Sequence, residues 1–326
     1  MKTIDLSLLE RPTLCVVIDT EEEFDWNSPF SRDSISVKNI AHQEKAQSIF
    51  ARYNIKPTYV IDYPVASQRE GFQPLKDFYE DKQCDIGAHL HPWVNPPYNE
   101  IVNNRNSFPG NLPYEQEYEK LKILTQTIAD NFGFNPTIYK AGRYGIGLNT
   151  TDILTELGYL IDCSVVPHTN FNAIEGPDFS GLPLDPYWFA ERKLLEVPLS
   201  VNYEGLLSRS GSTLYNAITQ PLLLKLKVPG IFSRLGLFER IRLSPEGHSF
   251  DELRRLTLGM IKQGHCSFCL TYHSSTLMQG GSPYVSNAKE LELFLWTIER
   301  YCSFFTSEID GTSSTLSQLY DGFRNR

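Results

Sequence analysis

The sequence has no long hydrophobic run: none approaches the roughly 20 apolar residues that a membrane-spanning helix needs. Positive charge is also scarce, because 30 lysines and arginines are outnumbered by 39 acidic residues, for a net charge of −9. This acidic balance argues against nucleic acid as the main partner. The segment Met1–Leu14 carries Asp5 and Glu10 and has no apolar core, so we expect no secretory signal and a cytoplasmic location.

Cysteine is sparse and scattered, with six residues in the chain. Most lie inside apolar runs, which is typical of small buried thiols in a reducing compartment rather than of a disulfide framework. Cys266 and Cys269 form a C-x-x-C pair within a predicted strand. Residues three apart on a strand face opposite ways, so we do not expect a redox or metal site there.

Apolar segments of strand length alternate with amphipathic segments of helix length along the chain. Thr13–Asp19 and Cys84–His91 are examples of the former, and Tyr114–Phe132 of the latter. Strands separated by helices predict a parallel sheet with helical crossovers. Seven or eight such units favour an α/β barrel over an open doubly wound sheet. We expect one domain over residues 1–326, with an insertion at 206–248.

Two pairs of ionisable residues stand at predicted strand ends. His89 and His91 end one strand, and Asp19 and Glu21 follow another. Side chains two apart on a strand point to the same side, so each pair converges. Two imidazoles and one carboxylate, from either Glu21 or Asp19, are a ligand set for zinc or a similar divalent metal.

Further polar residues lie at the ends of other predicted strands. Arg143 follows the fourth, Asp162 lies in the fifth, and His273 ends a late strand. A barrel of this kind builds its active site from the carboxyl ends of its strands. Each of these residues has an ordinary structural explanation when taken alone, but their joint position predicts one functional site.

Together these motifs resemble those of the NodB-like polysaccharide deacetylases, related to carbohydrate esterase family 4, over 13–305. Val17-Ile18-Asp19-Thr20-Glu21 stands in place of the family's T-F-D-D-G. Arg143-Tyr144-Gly145 corresponds to R-x-P-Y, and Thr271-Tyr272-His273 corresponds loosely to L-x-H. Trp93 occupies the position of the second histidine of the family's H-x-x-x-H, and His91 is its substitute.

Two longer stretches are similar to a divergent WalW-type subgroup found with bacterial surface-glycan genes. One is the H-L-H-P-W sequence with the Asn95-Pro96-Pro97 that follows it. The other is the H-S-S sequence at 273–275 with Gly280-Gly281-Ser282-Pro283-Tyr284. The resemblance implies an α/β fold of the distorted (β/α) barrel type with about seven strands, a specific form of the barrel expected from the alternation of elements.

The resemblance implies a base at Asp19 and a divalent metal, with Zn²⁺ the first choice, held by Glu21, His89 and His91. Bound metal would acidify a water and polarise an amide carbonyl. Arg143 is expected to hold Asp19 ionised through a bidentate ion pair, and His273 to protonate the leaving amine. Contacts with the substrate are expected from Trp93, Tyr144, Asp162 and Ser274.

The expected function is metal-dependent hydrolysis of the N-acyl group, in the first instance acetyl, of an amino sugar in a glycan or glycan precursor. One alternative is a barrel that has lost hydrolysis and binds carbohydrate. Another is an amidohydrolase of a small non-sugar amide. The metal content of the protein separates the first reading from the binding barrel.

The insertion at 206–248 contains a stretch, 221–242, that is basic and apolar within an acidic chain. Its basic residues are Lys225, Lys227, Arg234, Arg240 and Arg242. One interpretation is a helical subdomain that forms a wall of the cleft. The other is a peripheral surface that meets an anionic membrane or a lipid-linked sugar.

Overall fold

A computed structural model describes residues 2–189 and 194–324. Seven parallel strands form the centre of the main sheet, in the order β8-β6-β5-β4-β3-β2-β11. The antiparallel strands β7 and β1 extend it beyond β8. The strands are β1 Lys2–Thr3, β2 Thr13–Thr20, β3 Thr58–Ile61, β4 Asp85–Leu90, β5 Ile138–Ala141, β6 Ile161–Asp162, β7 Tyr187–Phe189, β8 Leu194–Glu196, β9 Val201–Glu204, β10 Glu239–Arg242, β11 Ser267–His273 and β12 Thr312–Ser313.

Helices connect most of the parallel strands, as the alternation in the sequence predicts. They are α1 Glu44–Arg52, α2 Tyr63–Ser67, α3 Arg69–Glu80, α4 Tyr114–Phe132, α5 Thr150–Glu156, α6 Gly211–Ile218, α7 Pro221–Lys225, α8 Val228–Arg234, α9 Phe250–Lys262, α10 Ala288–Ser303 and α11 Leu316–Arg324. No helix in the described residues is both long enough and apolar enough to cross a bilayer.

The two faces of β2 enter two different apolar clusters. Leu14, Val16 and Ile18 pack in the cluster between the sheet and the outer helices. Cys15 and Val17 pack in a second cluster on the inner face of the sheet. A strand buried on both faces carries a nearly continuous apolar run, which is why this segment is apolar up to its carboxyl end.

An irregular segment brings the two ends of the parallel array together. The Ser200 N–H donates to the Cys269 carbonyl on β11 at 3.4 Å, and the Leu199 N–H donates to the Val165 carbonyl beyond β6 at 2.9 Å. The sheet therefore curls into a distorted barrel, and the predicted fold of about seven parallel strands is confirmed.

Helix α11 covers the end of the barrel at which the strands begin. Its residues Leu316, Leu319 and Phe323 belong to the inner apolar cluster. The Ser317 N–H donates to Asp85 Oδ2, at the first residue of β4, at 3.3 Å. The carboxyl ends of the strands are left for the functional site.

The segment predicted as an insertion contains the three short helices α6, α7 and α8 and then strand β10. β10 pairs antiparallel with β9 in a separate two-stranded sheet. Tyr203, Ile218 and Phe238 form a small apolar cluster of their own beneath these helices.

Candidate metal centre and active site

A cavity of about 330 Å³ opens at the carboxyl ends of the strands. A wider surface groove runs along α3, but it is lined by residues such as Gln68, Gln73 and Asp77 and holds none of the predicted site residues. The barrel cavity is therefore the candidate site. Eight of the ten predicted site residues line it: Asp19, Glu21, His89, His91, Trp93, Arg143, Tyr144 and His273.

Both predicted pairs converge. Side chains two residues apart on a strand point to the same face, and in β2 and β4 that face is the inside of the barrel. The ring centroids of His89 and His91 lie 4.7 Å apart. Glu21 Oε2 lies 3.6 Å from His89 Nε2 and 3.4 Å from His91 Nε2. Bonds of about 2.0–2.2 Å at tetrahedral angles separate two zinc ligands by roughly 3.4 Å. The two oxygen–nitrogen distances match this spacing, and all three ligand atoms lie within 4.8 Å of one another.

Hydrogen bonds at the Nδ1 atoms, on the side of each ring away from Glu21, orient the two imidazoles. His89 Nδ1 donates to the Lys140 carbonyl at 2.9 Å, and His91 Nδ1 lies 2.7 Å from Glu22 Oε2. A carbonyl can only accept, so His89 carries its proton on Nδ1 and presents the Nε2 lone pair to the cavity. Burial lowers the pKa of His91 to about 4 and that of His89 well below its usual value. Both rings are neutral, as metal ligands must be.

Glu22 links the candidate ligand His91 to Trp93 and Asp62. It accepts a hydrogen bond from Trp93 Nε1 at 2.8 Å, and its own N–H donates to Asp62 Oδ2 at 2.7 Å. Trp93 in turn stacks on His91, with ring centroids 4.3 Å apart. Burial raises the pKa of Glu22 to about 7. A carboxylate behind a ligating histidine holds the ring in place and makes its lone pair more basic.

Glu21 is buried with an incomplete set of partners. Its Oε1 has no hydrogen-bond partner within the described residues, although the side chain is only 2% exposed. Burial, with the charges of Glu22 and Asp19 added, raises its pKa well above the usual value. A buried carboxylate without compensation is costly, and a divalent cation bound here would compensate it. The donor set therefore fits a divalent metal.

Asp19 is paired with a lysine, and not with Arg143 as predicted. Lys140 Nζ donates to Asp19 Oδ1 at 2.5 Å and to Thr271 Oγ1 at 3.0 Å, and both charged side chains are buried. Burial alone would raise the pKa of Asp19, but the charge of Lys140 and the hydrogen bond that it donates outweigh burial and lower the pKa. Asp19 is therefore held as a carboxylate.

Arg143 lines the cavity from a strained turn after β5. It donates to Asn104 Oδ1 at 3.0 Å and to Ser107 Oγ, and its guanidinium lies 4.0 Å from the centroid of the Phe108 ring. Within the described residues it has no carboxylate partner. Arg143 (φ 54°) and Tyr144 (φ 60°) both adopt left-handed backbone, which costs roughly 1–3 kcal/mol per residue. Such strain is common at functional sites, where it aims side chains.

Gly142 begins this turn because a larger residue does not fit. A Cβ at this position would collide with the His91 ring and the Leu90 carbonyl. The absence of a side chain lets the turn pass directly behind His91, so the glycine contributes to the position of a candidate ligand.

His273 forms a dyad with Glu246 beside Asp19. His273 Nδ1 lies 2.8 Å from Glu246 Oε2, and its backbone N–H donates to Glu246 Oε1 at 2.9 Å. The other ring nitrogen, Nε2, lies 3.7 Å from Asp19 Oδ2. Burial would raise the pKa of Glu246, but His273 and the hydrogen bonds lower it. The dyad fixes the ring with Nε2 directed at the cavity.

Two predicted substrate-contact residues are not brought to the cavity. Ser274 is buried behind it, where its Oγ accepts a hydrogen bond from the Glu21 N–H at 3.1 Å. Asp162 faces the other side of the sheet, because Ile161 and Cys163 occupy the inner face. There it accepts a hydrogen bond from Ser164 Oγ at 2.5 Å and pairs in register with Glu196.

Sequence reasoning missed Lys140, Glu22, Glu246 and Arg242. Lys140 could have been found, because it follows the inward-facing Ile138 by two residues on β5. Arg242 lines the cavity and donates to the Tyr144 hydroxyl at 3.0 Å. Glu22 and Glu246 lie in irregular segments whose contacts are distant in sequence, and no local pattern indicated them.

Comparison with known proteins gives structural matches only. No family model matches the sequence, and no curated protein matches it. A protein assigned as a polysaccharide deacetylase from Mycobacterium smegmatis superposes with a TM-score of 0.56 at 16% identity, over 96% of this chain and 91% of that one. One from Pseudomonas aeruginosa PAO1 gives 0.56 at 15% identity, over 96% and 91%. The PuuE allantoinase gives 0.54 at 14% identity, over 96% and 90%.

These matches extend over nearly the whole chain at low sequence identity, so they bear on the fold. They agree with the resemblance that the motifs at Asp19, His89 and His273 indicated; the WalW-type subgroup stays a prediction. The chain therefore has the barrel fold of the NodB-like polysaccharide deacetylases.

Proposed function

We propose that the protein is a metal-dependent hydrolase that removes an N-acyl group, most simply acetyl, from an amino sugar of a glycan or glycan precursor. The observation that carries this proposal is the set of side chains around one cavity. Glu21, His89 and His91 place three possible metal-ligand atoms close together. The ionised carboxylate of Asp19 and the dyad of His273 with Glu246 lie beside them. The fold shared with proteins assigned as polysaccharide deacetylases supports the same reaction class.

The metal would be held by Glu21, His89 and His91, and Zn²⁺ suits this set of one oxygen and two nitrogen donors. When bound, it supplies a Lewis acid for the amide carbonyl and lowers the pKa of a water. The proton transfers are assigned to side chains of the protein itself.

Asp19 is the proposed general base. It takes the proton of the attacking water, and Lys140 keeps it ionised for that purpose. His273 is the proposed general acid: it delivers a proton from Nε2 to the departing amine, while Glu246 stabilises the charged ring. His273 Nε2 and Asp19 Oδ2 lie 3.7 Å apart and both side chains line the cavity, so one amide bound in the cavity can contact both groups.

The remaining lining supplies contacts with the sugar. Phe24, Phe30 and Tyr284 present aromatic surface to the cavity, which suits the apolar faces of sugar rings. Arg143 supplies a guanidinium without a carboxylate partner in the described residues, for a polar substituent. Trp93 has its Nε1–H bound to Glu22 and its ring on His91, so its main role is to orient that ligand.

The test is acetate release from N-acetylated glycans, such as chitin and peptidoglycan fragments, by protein reconstituted with Zn²⁺. We expect metal-dependent release of acetate, and its loss in Asp19→Asn. Release of acetate at the same rate after chelation would contradict the metal role. Hydrolysis confined to small non-sugar amides would favour the amidohydrolase alternative, and metal binding with no hydrolysis of either class would favour the binding barrel.

A further inference from the structure

The helices α6, α7 and α8 form a surface whose composition differs from that of the rest of the chain. We define this helical surface as the exposed side chains of residues 206–235. Seven of the sixteen exposed large apolar side chains in the described part of the chain belong to it. Leu206 is 82% exposed, Leu222 68% and Leu235 64%. The others are Leu207, Leu224, Leu226 and Ile231.

Helical spacing arranges several of these side chains in pairs. Leu222 and Leu226 are four residues apart at α7, and Ile231 and Leu235 are four apart at α8, so each pair shares a face. The underlying cluster of Tyr203, Ile218 and Phe238 is already closed. The exposed leucines therefore do not contribute to the local core. Surfaces of soluble proteins rarely concentrate exposed apolar side chains in this way.

The charges on this surface all have one sign. Between Leu206 and Phe238 there is no aspartate or glutamate, but there are four exposed basic residues: Arg209, Lys225, Lys227 and Arg234. The segment carries a charge of +4 in a chain of net −9, so the remainder carries −13. Leucines interspersed with basic residues are complementary to a bilayer with anionic headgroups.

Two of the five basic residues predicted in 221–242, Arg240 and Arg242, point away from the helical surface. Arg240 donates through Nε to the His168 carbonyl at 3.1 Å. Arg242 donates to Tyr144 and lines the cavity. Strand β10, which carries both, thus links the helical surface to the cavity wall.

We propose that the helical surface docks on an anionic lipid bilayer. The leucines enter the interfacial region, and Arg209, Lys225, Lys227 and Arg234 contact lipid phosphates. Docking itself does not depend on the proposed function. If that function holds, β10 places the cavity beside the membrane, and the substrate class is an amino sugar on a lipid carrier or on a glycan growing at the membrane surface.

The test is co-sedimentation with phosphatidylcholine vesicles that contain or lack phosphatidylglycerol, without substrate. We expect binding to the anionic vesicles that weakens with salt, because the Debye length falls from about 30 Å at 0.01 M to about 8 Å at 0.15 M. Each basic residue near such a surface is worth about a five-fold change in partition coefficient. Changing the four basic residues to Gln should lower binding by more than about tenfold.

Two further variants separate the contributions. Changing Leu222, Leu226, Ile231 and Leu235 to Ser should abolish the binding that persists at high salt. A matched control changes exposed residues of the same types on α9 and α10 and should bind normally; it combines Leu258→Ser, Leu293→Ser, Lys262→Gln and Lys289→Gln.

The proposal is overturned if the intact protein fails to bind anionic vesicles at low salt, or if the control variant loses binding as the charge variant does. A second copy of the chain is the main competing occupant of this surface. If the intact protein dimerises in sedimentation velocity and the Ser variant is monomeric while vesicle binding is absent, the surface is a dimer interface. Acetate release measured on soluble glycans tests the proposed function separately.

Discussion

Lys140 gives the sharpest prediction about how the candidate base is held. Its ammonium lies 2.5 Å from Asp19 Oδ1 in a fully buried position. Lys140→Met keeps the apolar stem and removes the charge, leaving a buried carboxylate with His273 Nε2 at 3.7 Å beside it. Breaking a buried pair from one side costs about 3–5 kcal/mol of unfolding free energy, because the remaining charge is uncompensated.

A double-mutant cycle in urea unfolding measures this coupling. Asp19→Asn should also destabilise the protein, because it leaves the Lys140 ammonium buried. The combination of Asp19→Asn and Lys140→Met should cost several kcal/mol less than the sum of the two single changes, since no unpaired charge remains. Lys122→Met, at an exposed pair with Glu119, is the control and should leave stability nearly unchanged. Additivity of the two buried changes to within about 0.5 kcal/mol would refute the reasoning.

Three further outcomes are expected. Asp19→Asn should retain metal but lose about two to four orders of magnitude in turnover on the true substrate, the usual scale for a general base; nearly full activity would reassign the base. Glu246→Gln should reduce kcat less than His273→Ala does, with a changed pH–rate profile, because it acts only through the ring; equal losses with unchanged profiles would argue against the dyad. Burial raises the pKa of Asp162 to about 6 and that of Glu196 well above its usual value. The folded state therefore keeps protons that the unfolded chain releases near pH 4, so stability should fall as pH rises from there through about 6, and Glu196→Gln should flatten this fall in a Tm–pH series.

The parts of the site that follow from the alternation of side chains along a strand were predictable. Asp19 with Glu21, and His89 with His91, converge because alternation along a strand is a local property of the chain. The same alternation also explains the position of Asp162, which lies between two inward-facing residues and therefore faces outward. The order of strands and helices likewise follows from local patterns, and this is why the barrel could be predicted.

The partners of these residues were not predictable in the same way. Arg143 was expected to hold Asp19, but it lies beyond the end of β5 in a left-handed turn that directs it to Asn104 and Ser107. Lys140 takes its place from within the strand. Glu246 reaches His273 from a loop 27 residues away in sequence, a contact set by the packing of the insertion and not by any local pattern.

The most direct test of the central claim is the metal content of the protein. Elemental analysis after purification without added metal, and again after reconstitution with Zn²⁺, should find close to one divalent ion per chain in the intact protein. The combination of His89→Ala and His91→Ala should hold none while its circular dichroism remains native. As a matched control, His42→Ala with His265→Ala should keep the ion. Stoichiometric metal in the His89/His91 variant, or none in the reconstituted intact protein, would contradict the account.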